Sequence, residues 1–154
     1  MKFNSPQQAF ESVYGRPPAA VIQSPGRINL IGEHVDYLDG LVMPVAIDRH
    51  VHMAVSPGKD QTCRVWSALS GGEPVVISMD KLEPRPGSWL NYIIGVLALL
   101  RDSGTRLPTF DAVITSDLPT GAGLSSSAAL ETATALCMEA LTGEEMTPVK
   151  RAKL

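Results

Sequence analysis

A glycine-rich turn followed by three serines is the segment best suited to binding an anion. It reads LPTGAGLSSSA over residues 118–128 and contains Gly121, Gly123 and Ser125–Ser127. Glycine has no Cβ, so the backbone can turn sharply and approach a ligand closely. A helix predicted to start at the serines presents free N–H groups and the positive end of its dipole. This pattern favours a phosphate site, and ordinary serine capping of the helix is the alternative.

A second polar cluster lies near the N-terminus. Arg27 is followed within ten residues by Asn29, Glu33, His34 and Asp36, between apolar strand-like runs. Each carboxylate can accept hydrogen bonds from two hydroxyls, which suits a polyhydroxylated ligand. The planar fork of an arginine suits a phosphoryl group or a carboxylate. An exposed network of ion pairs within the loop would explain the same residues.

The remaining histidines are a weaker signal. His50 and His52 stand two residues apart on a predicted strand, so they share one face and could bind a metal ion. Histidines in this arrangement are more often part of a strand surface. Cys63 and Cys137 fit neither a disulfide scaffold nor a metal cluster.

Composition narrows the class of protein. The 154 residues are 44% hydrophobic and 19% charged, with a net charge of −3. This composition can fill a core and is unlike that of a disordered chain. Mild acidity gives no electrostatic case for nucleic acid as a partner. The longest apolar run, Tyr92 to Leu100, is far shorter than the roughly 20 residues of a membrane span. The N-terminus lacks a secretory signal, so we expect a cytoplasmic protein with no membrane partner.

Hydrophobic periodicity and turn residues predict an α+β fold: after a short first helix come strands, followed by a helix, a strand and a helix. Pro25–Gly26 is expected to break the first strand, and Pro44 and Asp48 are expected to interrupt the second or mark an edge. A short last helix from Thr147 is expected to be cut off by the end of the chain. The predicted helices span about 5–14, 89–103 and 124–141, and the predicted strands span 20–30, 41–55, 62–69, 74–78 and 110–116.

Three segments together resemble a known family. GRINLIGEHVDY (26–37) is similar to the galactokinase signature, and LPTGAGLSSSAA (118–129) is similar to the phosphate loop of the GHMP small-molecule kinases. WLNYIIGV (89–96) resembles the segment that lies near the adenine in that superfamily. Because three motifs occur in the family's order over most of the chain, the sequence resembles the galactokinase family of GHMP kinases.

The resemblance implies an α+β fold, the ribosomal protein S5 domain 2-like N-terminal half of a GHMP kinase. Residues 1–154 would form that domain, with a galactose-binding signature at about 20–55 and the ATP phosphate loop with its helix at about 109–142. The C-terminal half would be absent, and with it the third motif, the catalytic aspartate and the magnesium-binding acid. We therefore expect an N-terminal piece that is nearly inactive alone.

The resemblance also implies roles for individual residues, with galactose, ATP and Mg²⁺ as ligands. Arg27 would stabilise charge on the transferred phosphoryl group, and Glu33, His34 and Asp36 would bind sugar hydroxyls. Ser127 would be the magnesium ligand. The expected ATP-binding residues are Trp89 and Tyr92 at the adenine, and Pro119, Gly121, Gly123, Leu124, Ser125, Ser126 and Ser127 at the phosphates. For Tyr92, core packing on an amphipathic helix is an equal alternative.

The sequence differs from the family motif at one position, and it is compatible with three functions. Leu38 stands where the family usually has asparagine, a position that bears on the choice of sugar. The reading we favour is galactose 1-phosphate formation from galactose and ATP. The alternatives are a non-catalytic galactokinase-like sugar sensor, and a kinase for N-acetylgalactosamine or galacturonate. An intact serine run favours an enzyme, and Glu33 would repel a substrate carboxylate.

Overall fold

The computed structural model describes residues 3, 5–32, 38, 40–119 and 121–153. Within these ranges none of the helices is both long and apolar enough to span a bilayer. The elements, in chain order, are α1 (Pro6–Tyr14), β1 (Ala20–Ile31), β2 (Met43–Pro57), β3 (Cys63–Ser67), β4 (Val75–Ile77), α2 (Leu90–Asp102), β5 (Phe110–Ser116), α3 (Ser126–Thr142) and α4 (Pro148–Ala152).

The five strands form one mixed sheet in the order β1-β2-β5-β3-β4. β2 pairs antiparallel with both β1 and β5, β3 pairs antiparallel with β4, and β3 and β5 are parallel. The parallel pair requires a crossover, which β4 and α2 provide along the chain. The carboxyl ends of β3 and β5 therefore lie at the same edge of the sheet. The predicted α+β fold is confirmed.

Strand alternation divides the apolar residues between two cores on opposite faces of the sheet. Met53 and Val55 of β2 belong to the larger core, which packs against α2 and α3. Ala54 of β2 and Val113 of β5 face the other way and pack with Phe10 of α1. The sheet is thus covered by two helices on one face and by a single short helix on the other.

Helix ends follow the turn residues in the sequence. The Ser5 side chain accepts a hydrogen bond from the Gln8 N–H at the start of α1, and Thr147 does the same for Lys150 in α4. Gly15 ends α1 in the left-handed conformation, with φ 67°, as Gly143 ends α3 with φ 76°.

The predicted strand break at Pro25–Gly26 is wrong. β1 continues through both residues, and its register against β2 shifts between Pro25 and Arg27. An edge strand tolerates proline because one side of its backbone needs no partner, and the irregularity absorbs the glycine. The structure decides between the two expectations for Pro44 and Asp48: β2 is continuous rather than interrupted, and both residues lie in its edge portion, before the pairing with β5 begins. Pro44 pairs with Asn29 in the part of β2 that lies beyond the pairing with β5.

A buried carboxylate ties α1 to the sheet. Asp111 of β5 is fully buried and accepts hydrogen bonds from Arg16 Nη2 at 2.8 Å and from Arg64 Nε at 2.8 Å. Tyr14 lies over Arg64 and donates its hydroxyl to the carbonyl oxygens of Arg64 and Ala112. Burial, and next the nearby Asp111 charge, raise the pKa of Tyr14 above its usual range, so the phenol stays a donor.

We expect Asp111→Asn to lower the free energy of unfolding by about 3–5 kcal/mol, because it leaves two partly buried guanidinium groups without a counter-charge. Urea denaturation of the variant measures the loss. Asp102→Asn is the matched control, since its ion pair with Arg101 is exposed and such pairs contribute at most about 1 kcal/mol. Equal effects of the two substitutions would contradict a structural role for the buried carboxylate.

Candidate functional site

The turn between β5 and α3 adopts a left-handed backbone at three positions. Gly121 and Gly123 have φ of 72° and 69°, and Ser125 has φ of 57°. Among the described residues Ser125 is the only non-glycine residue with positive φ. Such a conformation costs a non-glycine residue of order 1–3 kcal/mol and is concentrated at functional sites. The glycines occupy the sharp turn that the sequence predicted for them.

The start of α3 corrects one prediction. The helix begins at Ser126 rather than at Leu124, because the left-handed Ser125 cannot belong to the helix. Ser125 is the N-cap by position, yet its side chain makes no capping hydrogen bond. Ordinary serine capping therefore does not explain the residue. Ser126 and Ser127 do lie in the first helical turn, whose N–H groups have no partner within the helix.

One face of the α3 start borders a cleft of about 520 Å³, which we call the aromatic cleft. It lies where β3 and β5 end and α2 and α3 begin, the usual position of ligand sites in sheets with parallel strands. None of the described lining residues carries a charge. The lining consists of Val51, Ser67, Leu69, Ser70, Trp89, Tyr92, Ile114, Ser116, Leu118, Ser126, Ser127 and Leu130.

The aromatic cleft brings together predicted residues from two separate motifs. Trp89 and Tyr92 approach from the start of α2, and Ser126 and Ser127 from the start of α3. Tyr92 is 40% exposed, so it is not the core residue that the alternative interpretation required. Trp89 packs partly against the larger core and also lines the cleft. An uncharged aromatic wall beside free N–H groups can accommodate a flat ring with an attached anion.

The opposite face of the α3 start borders a second cavity of about 340 Å³, the arginine cleft. Arg27 of β1 and Ser125 lie in the same lining, so a predicted residue of each polar motif reaches this cavity. The residues of the lining are Ser24, Pro25, Gly26, Arg27, Pro44, Ala46, Ser125, Ala128, Ala129 and Thr132.

β1 touches the turn directly at the arginine cleft. The Arg27 N–H donates to the Leu124 carbonyl oxygen at 3.1 Å. A Cβ on Gly26 would lie 2.5 Å from Leu118 Cδ2 and 2.8 Å from the Leu124 oxygen, so only glycine allows this approach. The strand that leads to the polar cluster is thereby held against the helix start.

The other predicted binding residues that the structure describes are not among those that line the two clefts. Pro119, Gly121 and Gly123 are exposed and are not among the residues lining either cavity, whereas Leu124 packs partly against the larger core. Their roles in phosphate binding remain predictions. Glu33, His34 and Asp36 lie outside the described residues.

Sequence reasoning missed one member of a further cluster. His50 and His52 of β2 and Asp117, the residue after β5, have ligand-type atoms that all lie within 4.8 Å of one another. Burial lowers the pKa of His52. The His50 N–H donates to Asp117 and, with the Arg49 charge, lowers the pKa of that carboxyl. Asp117 could have been found only from the β2–β5 register, which the sequence pattern does not reveal.

Comparisons with known proteins match both halves of the chain. The galactokinase galactose-binding signature matches residues 8–57, and the GHMP kinases N terminal domain matches residues 91–154. The galactokinase of Roseiflexus sp. (strain RS-1) is 46% identical over 145 residues, which are 91% of this chain and 37% of that protein. The chain belongs to the galactokinase family of the GHMP kinases. The galactokinase of Homo sapiens is 36% identical over 155 residues, covering 96% of this chain and 39% of its own length.

Solved structures agree with the family and its fold. The Lactococcus lactis galactokinase complexed with galactose has a TM-score of 0.84 and 30% identity, over 96% of this chain and 39% of that chain. The Methanococcus jannaschii mevalonate kinase has a TM-score of 0.74 at 18% identity, over 87% of this chain and 44% of that one. The expected fold, that of the N-terminal half of a GHMP kinase, is therefore confirmed. The galactokinase-family chain spans about 37% of the length of the curated relatives it matches first.

We expect Gly26→Ala to destabilise the galactokinase-family chain by about 1–3 kcal/mol, because the added methyl group would force β1 away from the turn. Hydrogen exchange at the Arg27 amide should become faster as its bond to Leu124 weakens. Gly95→Ala is the matched control, since nothing lies within 4 Å of a Cβ there. In the middle of α2 it should stabilise by about 0.5–1 kcal/mol. An unchanged Arg27 exchange rate in Gly26→Ala would contradict the close approach.

Proposed function

We propose that the whole protein is an ATP-dependent galactokinase, which transfers the γ-phosphoryl group of ATP to the anomeric hydroxyl of D-galactose and forms galactose 1-phosphate. The observation that carries the proposal is the hydrogen bond from Arg27 to Leu124. It joins the strand of the galactose-binding signature to the turn that opens α3. The signature at about 20–55 and the phosphate turn with its helix at about 109–142 thus act as one domain.

The nucleotide side of the reaction takes place in the aromatic cleft. Adenine packs against Trp89 and Tyr92, and the phosphates extend toward Ser126 and Ser127, where the N–H groups of the first helical turn donate to them. The lining has no charged side chain among the described residues, so phosphate charge must be neutralised from elsewhere. Mg²⁺, when bound, would supply that neutralisation, and the Ser127 hydroxyl is a hard oxygen donor of the type it prefers.

The sugar side of the reaction belongs to the arginine cleft and to the polar segment that follows β1 in the sequence. Arg27 is exposed and lines the arginine cleft, on the opposite side of the α3 start from the aromatic cleft. Its positive charge stabilises the charge on the transferred phosphoryl group. Glu33, His34 and Asp36 hold the sugar hydroxyls, with Asp36 on the ring side. Phosphoryl transfer depends mainly on this positioning and neutralisation. The general base is an aspartate in the part of the whole protein that this chain does not span.

A cytoplasmic location fits the thiols. In the described part of the chain both cysteines are free and buried. Burial raises the pKa of the Cys63 thiol to about 11, and it also raises the pKa of the Cys137 thiol. Both thiols therefore stay protonated and unreactive. Free, unreactive thiols are typical of a reducing compartment, where ATP is also available.

A sugar panel tests the activity. We expect the whole protein to consume ATP with galactose, and to act at least about 10-fold less efficiently on galacturonate or N-acetylgalactosamine, since one buried mismatch typically costs 1–3 kcal/mol. Residues 1–154 alone should show almost no turnover. Coupled ADP detection measures both. Galactose and ATP binding without ATP consumption would indicate a sugar sensor instead, and activity confined to another sugar would overturn the substrate assignment.

Two substitutions in the whole protein test the division between the clefts. Asp36→Ala should raise the KM for galactose, and Ser127→Ala should raise the KM for Mg-ATP, each by about 10-fold through lost hydrogen bonds or ligands. Steady-state kinetics with each substrate varied measure the effect. Asp80→Ala and Ser78→Ala are matched controls, because both residues are exposed next to β4 at the far edge of the sheet. If Asp36→Ala changed only the ATP dependence, the two assignments would be reversed.

A further inference from the structure

The cluster of His50, His52 and Asp117 lies on the face of the sheet that α1 covers. His50 and His52 share the side of β2 that carries Ala54, which packs under α1. The residues of β2 and β5 that line the aromatic cleft, such as Val51 and Ser116, belong to the other side. The cluster is therefore separated from the aromatic cleft by the thickness of the sheet.

Three backbone restraints hold the ligand atoms together. His50 and His52 are fixed by strand pairing, and their rings lie 5.8 Å apart at an interplanar angle of 47°. The Asp117 N–H donates to the His50 carbonyl oxygen at 3.2 Å, and the His50 N–H donates to the Asp117 carboxylate. A carboxylate already oriented by a backbone donor loses little freedom on binding a metal ion.

The donor set selects a class of metal. Two imidazoles and one carboxylate suit zinc and its neighbours in the first transition row, whereas magnesium and calcium prefer oxygen ligands alone. Zinc holds its ligands at about 2.0–2.2 Å, so ligand atoms around one ion lie roughly 3–4 Å apart. With all three groups within 4.8 Å, small side-chain rotations suffice. The half-buried histidines and exposed Asp117 leave a route of entry and room for water as the fourth ligand.

We propose that His50, His52 and Asp117 form a binding site for one divalent transition-metal ion, of the Zn²⁺ class, on the reverse face of the sheet. This metal site is proposed independently of the phosphoryl-transfer activity. One of its ligands, Asp117, immediately precedes Leu118, which is the first residue of the glycine-rich turn and lines the aromatic cleft. Nearby Arg49, whose Nη1 lies 3.6 Å from Asp117 Oδ2, limits the affinity by its positive charge.

Metal titration of the untagged chain tests the site. Calorimetry with Zn²⁺ and the visible absorption of Co²⁺ should both give one ion per chain, with a Co²⁺ spectrum typical of four-coordination. His50→Gln, His52→Gln and Asp117→Asn should each weaken binding about 10-fold or more. Asp117→Asn keeps an oxygen that can accept the His50 N–H bond, so its fold should survive. Excess Mg²⁺ should not displace Zn²⁺.

Two further variants serve as controls, one expected to strengthen Zn²⁺ binding and one expected to leave it unchanged. Arg49→Gln should tighten Zn²⁺ binding about 2- to 5-fold by removing a nearby positive charge. His34→Gln removes the remaining histidine and should leave binding unchanged. In the unsubstituted protein, the NMR resonances of the His50 and His52 rings should shift when Zn²⁺ is added. This measurement does not depend on whether the variants fold. The proposal is overturned if Zn²⁺ does not bind at equimolar concentration, if those resonances stay still, or if His34→Gln abolishes binding.

Discussion

The close approach of β1 to the start of α3 is the contact on which the site depends. Gly26 has no side chain, and its backbone lies where a Cβ would clash with Leu118 and with the Leu124 carbonyl. The adjacent Arg27 amide uses this proximity to donate to Leu124. Because α3 also packs along β1, this contact fixes the position of the turn relative to the strand rather than the packing of the helix. The absence of a side chain at Gly26 therefore allows the turn before α3 to lie directly against β1.

The two-residue period of β2 and β5 distributes chemistry over the two faces of the sheet. Alternate residues face the larger core and the aromatic cleft, while those between them carry Asp111, the packing under α1, and the His50–His52 pair. Each strand thus lines the aromatic cleft with one set of residues and contributes to an unrelated polar cluster with the other. Because a slip of one residue would exchange the faces, the register must be held firmly. Asp111, clamped by two arginines beside α1, contributes to that restraint.

Local signals in the sequence predicted the helices well, because caps are decided by neighbouring residues. Ser5, Gly15 and Gly143 all act as their types suggest. Errors arose where long-range contacts prevail. Pro25 stays in a strand because β1 lies at the sheet edge, and Ser125 is left-handed although serine has no special preference for that conformation. Likewise, Trp89 and Tyr92 meet Ser126 and Ser127 only through the packing of α2 against α3.

Charge is unevenly divided around the α3 start, and this division constrains any reaction there. The described lining of the aromatic cleft is uncharged, whereas the arginine cleft carries Arg27 on the other face of the same helix end. A polyanion in the aromatic cleft would be attracted by the helix N-terminus and then by Arg27, so its terminal group would be drawn toward β1. Along the chain, β1 is the strand that precedes the polar cluster after Gly32. The electrostatics of the described residues thus favour an anion whose charged end points from the aromatic cleft toward β1.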